Sequence, residues 1–360
     1  MQSIPSSNLP INLSMTDWQN QLKNSITSPE KLSQILHCKQ AEVAAVSSRY
    51  PLRISPYYLE VIKQAGKPLF RQAVPDIREL DDPQGMVDPL AEETLSPVPN
   101  LVHKYPDRAL FLVSSQCAMY CRFCTRKRKV GKASMQITQK TLAAGLEYLR
   151  STPQIREVLI SGGDPLLLSD QEIEEILQQL QKIEHIKVIR IGTRTPCTLP
   201  MRITPDLVNM LKKYHPLYIN THFNHPAEIT QEAAQACTLL ADAGIPLGCQ
   251  TVLLKGVNDS LPVIKELLYR LLEIRVRPYY LMQADLTEGT AHFRTDIKTG
   301  LTIMRGLIGS VSGMAAPTYI LDAPEGRGKI PLTPDYILSH QEDKLEFTNY
   351  EGIPCTYPLP

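Results

Sequence analysis

Apolar and polar positions along this chain fall into two regimes. Up to residue 100 they are irregular. A helix-like apolar spacing covers 18–36, breaks near Ser28-Pro29, and gives way to proline punctuation over 51–99. From Ala109 the pattern turns periodic. Short apolar runs at 109–113, 157–160, 187–191, 217–220, 247–253 and 278–282 predict strands. Amphipathic segments at 138–151, 170–183, 204–214, 229–243 and 260–274 predict the helices between them.

Strand–helix alternation at about 30-residue spacing implies βα units and a parallel sheet. Six units fit a partial barrel as well as a doubly wound sheet, and the polar motifs decide between them. They recur just after the strands: the cysteine run 117–124, Ser161-Gly162-Gly163-Asp164, Thr193-Arg194, His222-Phe223-Asn224-His225, Gln250 and Asp285. Barrel enzymes gather their sites at the C-terminal strand ends. The expected fold is therefore α/β, a partial (β/α)6 barrel with one mouth over 101–315. A mainly helical extension precedes it over 1–100. A C-terminal segment, 316–360, carries a strand-like run at 318–321 and a Gly-rich turn. No internal repeat or low-complexity tract is present.

The 360 residues are 43% hydrophobic and 21% charged, with a formal net charge of +1. That core fraction suits a large soluble domain, and the charge argues against a nucleic-acid footprint. The dense basic run Arg126-Lys127-Arg128-Lys129 starts two residues after the cysteines, where it could meet an anionic ligand. No stretch has the apolar length of a membrane span or a signal-peptide core. Of eight cysteines, Cys38, Cys197, Cys237, Cys249 and Cys355 are scattered without a disulfide pattern, so a reduced, cytoplasmic setting is expected.

The other three form CxxxCxxC: Cys117, Cys121 and Cys124. Thiolates so close can hold three corners of a [4Fe–4S] cubane and leave the fourth iron open to an exogenous ligand. The rival readings are a structural zinc site or three buried thiols. Zinc sites usually repeat a CxxC pair or add nearby histidines, and neither occurs. Ser161-Gly162-Gly163-Asp164 follows a strand and precedes a helix. Its glycines would allow a ligand close to exposed backbone N–H groups. A Gly-rich turn, Asp322-Ala323-Pro324-Glu325-Gly326-Arg327-Gly328-Lys329, is not a P-loop, because the first glycine is missing and Ile330 replaces the Ser or Thr that holds magnesium. A lysine on such a turn suits Schiff-base chemistry. Standing alone it would read as a surface lysine.

Cysteine triplet and Gly-Gly-Asp together resemble the radical S-adenosylmethionine (SAM) superfamily, in which the open iron chelates SAM and the Gly-Gly-Asp strand end holds its amino group. Over nearly the whole length the chain further resembles the lysine 2,3-aminomutase family, through stretches such as HKYPDRALFLVSSQCAMYCRFCTRKR, LISGGDPLL, IGTRTP and LDAPEGRGKIP. The resemblance implies pyridoxal 5′-phosphate (PLP) bound through Lys329 and contacted by Arg108 and Lys104, the latter standing where the family has arginine. It implies Arg126 on the substrate carboxylate, and Asp285 and Asp322 on its ε-ammonium. Relatives acting on glutamate carry a cationic or amide side chain in place of those acids, so L-lysine is the expected substrate. Ser161, Gly162, Gly163, Asp164, His222 and Gln250 fall near SAM. A histidine at a strand end also commonly just satisfies backbone groups.

The implied reaction is 1,2-amino migration between L-lysine and β-lysine, with a reductant such as flavodoxin or ferredoxin and a homo-oligomeric assembly. A second reading is production of (R)-β-lysine for modification of translation elongation factor P, which the N-terminal WQNQLKNSITSPEKL resembles. A third, a non-catalytic Fe–S or zinc scaffold, leaves the lysine turn and the two acids unexplained. The chain stops at CTYPLP, where longer members continue into a cysteine-bearing zinc tail, and Cys355 alone does not supply such a site.

Overall fold

The computed structural model describes residues 17–132 and 135–360, so the start of the expected extension, 1–16, lies outside the described residues. Nine strands form one sheet in chain order: β1 (Leu101–Tyr105), β2 (Arg108–Ser114), β3 (Glu157–Gly162), β4 (Val188–Gly192), β5 (Leu217–Thr221), β6 (Leu247–Leu253), β7 (Val276–Gln283), β8 (Thr318–Ala323) and β9 (Gly328–Pro331). Strands β2 to β8 pair in parallel, while β1 on β2 and β9 on β8 are antiparallel. The run at 318–321 thus joins the sheet as its seventh parallel strand.

Crossover helices cover the outer face: Gln139–Ser151, Asp170–Gln181, Pro205–Leu211, Gln231–Asp242, Leu261–Glu273 and Ile297–Leu307. The hydroxyls of Thr138, Ser169, Thr204 and Thr230 accept backbone N–H bonds in the first turns of four of them, which fixes where each strand-to-helix loop ends. Ile173, Ile176, Leu177 and Leu180 make one helical stripe, and they share a core with Val158, Ile160, Ile189 and Ile191 from the strands. The alternate strand positions, among them Leu159, Ser161, Arg190, Asn220, Gln250 and Tyr279, are only partly buried and line the inner face.

The extension is more helical than its prolines suggest. Helices Pro56–Ala65 and Lys67–Ala73 lie inside the proline-rich stretch because Pro56 and Pro68 occupy their first turns, where a missing N–H costs nothing. Leu32, Val43, Tyr57 and Leu69 from this region join the same core as the barrel. A buried ionic knot adds to that: Glu79 accepts from Arg122 (2.5 Å) and Lys127 (2.8 Å) on the cysteine loop. Beyond the barrel, Ile337–His340, Lys344–Thr348 and Pro354–Pro358 form a separate antiparallel sheet, β10 to β12. No helix among the described residues is long and apolar enough to cross a membrane.

The two sheet edges, β1 and β9, are not paired by a backbone ladder. Side chains bridge them instead. Lys104 of β1 donates to Asp322 of β8 (3.0 Å), and the Lys329 backbone N–H of β9 donates to the Tyr105 hydroxyl (3.2 Å).

Candidate active site

The cysteine loop leaves the C-terminal end of β2 and returns beside β3. Gly162 and Gly163 make that possible. A Cβ on Gly162 would collide with the Ser114 carbonyl, and one on Gly163 with the Gln116 carbonyl. The Gly163 and Asp164 N–H groups donate to those same two carbonyls, each at 2.6 Å. The close approach these glycines permit is therefore made by the chain's own cysteine loop. Asp164 is likewise occupied internally: its carboxylate accepts from the Thr193 hydroxyl (2.7 Å) and from the N–H groups of Arg194 (2.8 Å) and Leu166 (3.1 Å). Burial raises its pKa against the pull of those bonds.

The three thiols stay partly open at the mouth. Cys121 accepts from Arg194 Nη1 (2.8 Å), and Cys124 accepts from the Arg126 N–H (3.3 Å). Desolvation pushes the Cys117 thiol well above its ordinary value, with Asp164 adding to it, and pushes Cys124 up to about 11. Among the described residues no three His, Cys, Asp or Glu side chains converge in the manner of a single-ion site. A cubane asks for something else, since each thiolate bonds its own iron and the sulfurs need not aim at one point.

On the inner wall, Tyr279 gathers Asn220 Nδ2 (2.6 Å) and Gln250 Nε2 onto its hydroxyl. Asn220 Oδ1 is buried without a partner, so the wall offers an acceptor to a polar ligand. His222 Nε2 lies 2.8 Å from Asn224 Oδ1, and its ring packs against Phe123 at 5.5 Å. Burial, then the neighbouring Arg194 charge, pulls its pKa down to about 4, so the imidazole is neutral.

Across the mouth, the charged candidates meet at the seam between the sheet edges. Asp322 accepts Lys104 on one carboxylate oxygen (3.0 Å) and Lys329 on the other. Asp322 and Lys329 are register partners on β8 and β9, so the Gly-rich turn, with Gly326 at φ 73°, holds them opposite each other. Arg108 and Lys104 both flank the Tyr105 ring, at 4.5 and 5.4 Å. Asp285, just past β7, feels Asp322, Lys329, Lys104 and Glu92. Burial and then Asp322 push its carboxyl up to about 7. Arg126 is clasped by buried Glu92, with its Nε 2.8 Å and Nη2 2.7 Å from Glu92 Oε1, while Nη1 donates to the Gly162 carbonyl (3.3 Å). Burial alone would raise the Glu92 carboxyl, but Arg126 outweighs it and holds it below the usual range. Sequence reasoning missed Glu92, Arg194 and its partner Glu228. Thr193-Arg194 stood out only as a polar strand end, and neither acid falls in a motif.

A family model described as Lysine-2,3-aminomutase matches residues 304–360, and one described as Radical SAM superfamily matches 111–268. The L-lysine 2,3-aminomutase of Clostridium subterminale is 48% identical over 350 residues, which are 96% of this chain and 84% of that protein. The chain belongs to the lysine 2,3-aminomutase family. The L-lysine 2,3-aminomutase of Bacillus subtilis is 47% identical, covering 96% of this chain and 74% of that one. The glutamate 2,3-aminomutase of Clostridioides difficile is 45% identical, covering 93% and 82%. Cofactors of a radical SAM aminomutase are a [4Fe–4S] cluster, SAM and PLP. The residues present suit all three. Three thiol donors stand together on one loop, and an inner-wall amide oxygen lacks a partner. Lys104 and Arg108 beside Tyr105 offer cations to a phosphate, with the Lys329 amine close to Lys104 through their shared partner Asp322.

Proposed function

We propose that this protein interconverts L-lysine and β-lysine by 1,2-amino migration. The observation that carries the choice of substrate is the pairing of Asp285 with Asp322 at the seam. Two carboxylates in one desolvated site repel; keeping the proton on Asp285 relieves this in the unliganded site, and a cation between the two relieves it when both are ionised. Lysine's ε-ammonium does so, whereas glutamate's side-chain carboxylate would add a third negative charge.

Cys117, Cys121 and Cys124 would hold the cluster. Ser161, Gly162, Gly163, Asp164, His222 and Gln250 would surround SAM. Lys329 would bind PLP, with Arg108 and Lys104 toward its phosphate. When bound, these groups supply a hydrogen-abstracting carbon radical and a π-system across which nitrogen migrates. The chain's own residues bind and aim. Arg126, fixed by Glu92, offers its remaining N–H groups to the substrate carboxylate. Asp322 holds the Lys329 ammonium until that amine is engaged elsewhere; the oxygen so released, with Asp285, is then open to the substrate's ammonium while Lys104 keeps the other. Neutral His222 can accept or donate one hydrogen bond without adding charge near the radical. The Gly-rich turn allows Lys329 to swing between partners. A one-electron reductant of the flavodoxin or ferredoxin kind would serve the cluster.

Anaerobic reconstitution tests this. About four irons per chain are expected, together with a PLP absorbance that Lys329→Ala abolishes. Lysine, dithionite and SAM should then yield β-lysine, whose hand chiral analysis assigns. A protein that takes up iron and PLP but turns over glutamate and not lysine would overturn the substrate assignment. One that takes up neither overturns the reading as a whole.

A further inference from the structure

Arg194, two residues past β4, is buried and held from every side. Its Nη2 donates to Glu228 Oε1 (2.7 Å) and Gln72 Oε1 (2.7 Å), and its Nε donates to the His222 carbonyl (3.4 Å). The guanidinium lies over the Phe123 ring, 5.2 Å from its centroid. Glu228 is fixed in turn by the Tyr58 hydroxyl (2.6 Å) and the N–H groups of Asn224 (2.6 Å) and His225 (3.0 Å). The Arg194 backbone is anchored through its own N–H to Asp164 (2.8 Å). What these contacts leave over is Nη1, and it donates to Cys121 Sγ at 2.8 Å. Cys124 by contrast accepts a backbone N–H, at 3.3 Å. The three sulfurs are not equivalent, because one of them alone receives a fixed cationic donor among the bonds described.

Glu228 already balances the charge of Arg194, so the pair needs no sulfur for neutrality. A guanidinium gripped this firmly cannot turn away from Cys121 when the sulfur changes its charge. Hydrogen bonds and charge at cluster sulfurs set iron–sulfur reduction potentials. We infer that Arg194 is a positioning residue for the iron–sulfur centre, acting through Cys121 to raise its reduction potential. Adding an electron increases negative charge on the cluster and its thiolates, and the fixed N–H donor stabilises that charge. Asp164 of the Gly-Gly-Asp turn contributes at one remove, by holding the backbone from which Arg194 reaches out. The inference rests on the iron–sulfur reading of the three cysteines.

The test is a redox titration of the reconstituted full-length protein, with dithionite as reductant and the reduced cluster followed by electron paramagnetic resonance. The principal variant is the double substitution Arg194→Gln with Glu228→Gln, which leaves no unpaired buried charge. At a fixed potential its reduced-to-oxidised ratio is expected to fall about tenfold, since a charged hydrogen bond is lost, equivalent to about 59 mV for a one-electron couple. Arg194→Lys keeps the charge but loses the fork, and should shift in the same direction by less. An unshifted potential in an iron-loaded double variant overturns the inference. If that variant fails to keep its iron, Arg194→Lys decides: a lowered potential sustains the inference and an unchanged one overturns it. A wild-type chain that takes up no cluster overturns the functional reading and this inference together. A loaded wild type with unshifted variants overturns this inference alone.

Discussion

Asp285 gives the sharpest prediction. Its carboxyl is pushed from 3.8 up to about 7, a difference of about 4 kcal/mol between protonated and ionised forms. The sign follows from proton linkage. Below pH 3.8 the folded and unfolded chains both keep this proton, and no penalty arises. As pH rises through this window the unfolded chain loses the proton and the folded chain retains it, so stability falls, and the loss is complete above about 7. A ligand cation set between Asp285 and Asp322 removes that penalty. L-lysine carries its side-chain ammonium throughout the range, so its binding should tighten as Asp285 ionises. The ionised fraction rises from about one-tenth at pH 6 to about nine-tenths at pH 8, which makes lysine bind about tenfold more tightly at pH 8. Calorimetry on PLP-loaded protein without SAM reads this; there the Lys329 ammonium no longer holds Asp285 down, so the tightening should be at least that large. L-norleucine shares the other protonation steps but lacks the ammonium, so the difference between the two ligands isolates the acid pair. Asp285→Asn should flatten that difference, and without ligand it should be more stable than wild type at pH 8 by up to about 4 kcal/mol. A wild-type difference that stays flat, or a slope that survives in Asp285→Asn, refutes the reasoning.

Glu79→Ala leaves Arg122 and Lys127 buried without a counter-charge and should cost about 3–5 kcal/mol in thermal or urea unfolding; burial already lowers Lys127 to about 8, so the loss should shrink at pH 9, where that amine is discharged. Gly163→Ala drives a Cβ onto the Gln116 carbonyl, which should destabilise the cysteine loop by about 1–3 kcal/mol and show as substoichiometric iron after reconstitution. Glu92→Gln frees Arg126 from its clasp and should raise KM for lysine about tenfold through the lost charged hydrogen bonds, with kcat largely retained; a fall in kcat at constant KM would contradict the positioning role given to Glu92.

What was legible in the sequence was short-ranged. Strand and helix periods and the cysteine spacing act over a few residues, so most of the parallel sheet and the cluster loop could be read directly. β1 is five residues long, and its apolar Leu101-Val102 is followed at once by His103 and Lys104, so it offers too short a pattern to register as a strand. Prolines masked two helices that they in fact begin. Side-chain bonds across distant segments leave no spacing to detect: Arg194 and Cys121 are 73 residues apart, and Glu79 and Arg122 are 43 apart. The Gly-Gly pair was visible, yet the partner that demands it, the backbone of Ser114 and Gln116, emerges only once β2 and β3 lie side by side.

The unladdered seam between β1 and β9 has a mechanical consequence. A barrel zipped shut by backbone pairs could widen its mouth only by breaking strands apart, at the expense of its core. Here the circle is fastened by Lys104 on Asp322 and Tyr105 on Lys329, contacts that can be exchanged singly while every strand keeps its neighbours. With PLP on Lys329 as proposed, the wall is cut where that cofactor would dock, so loading it would ask for a change of side-chain partners and leave the scaffold standing.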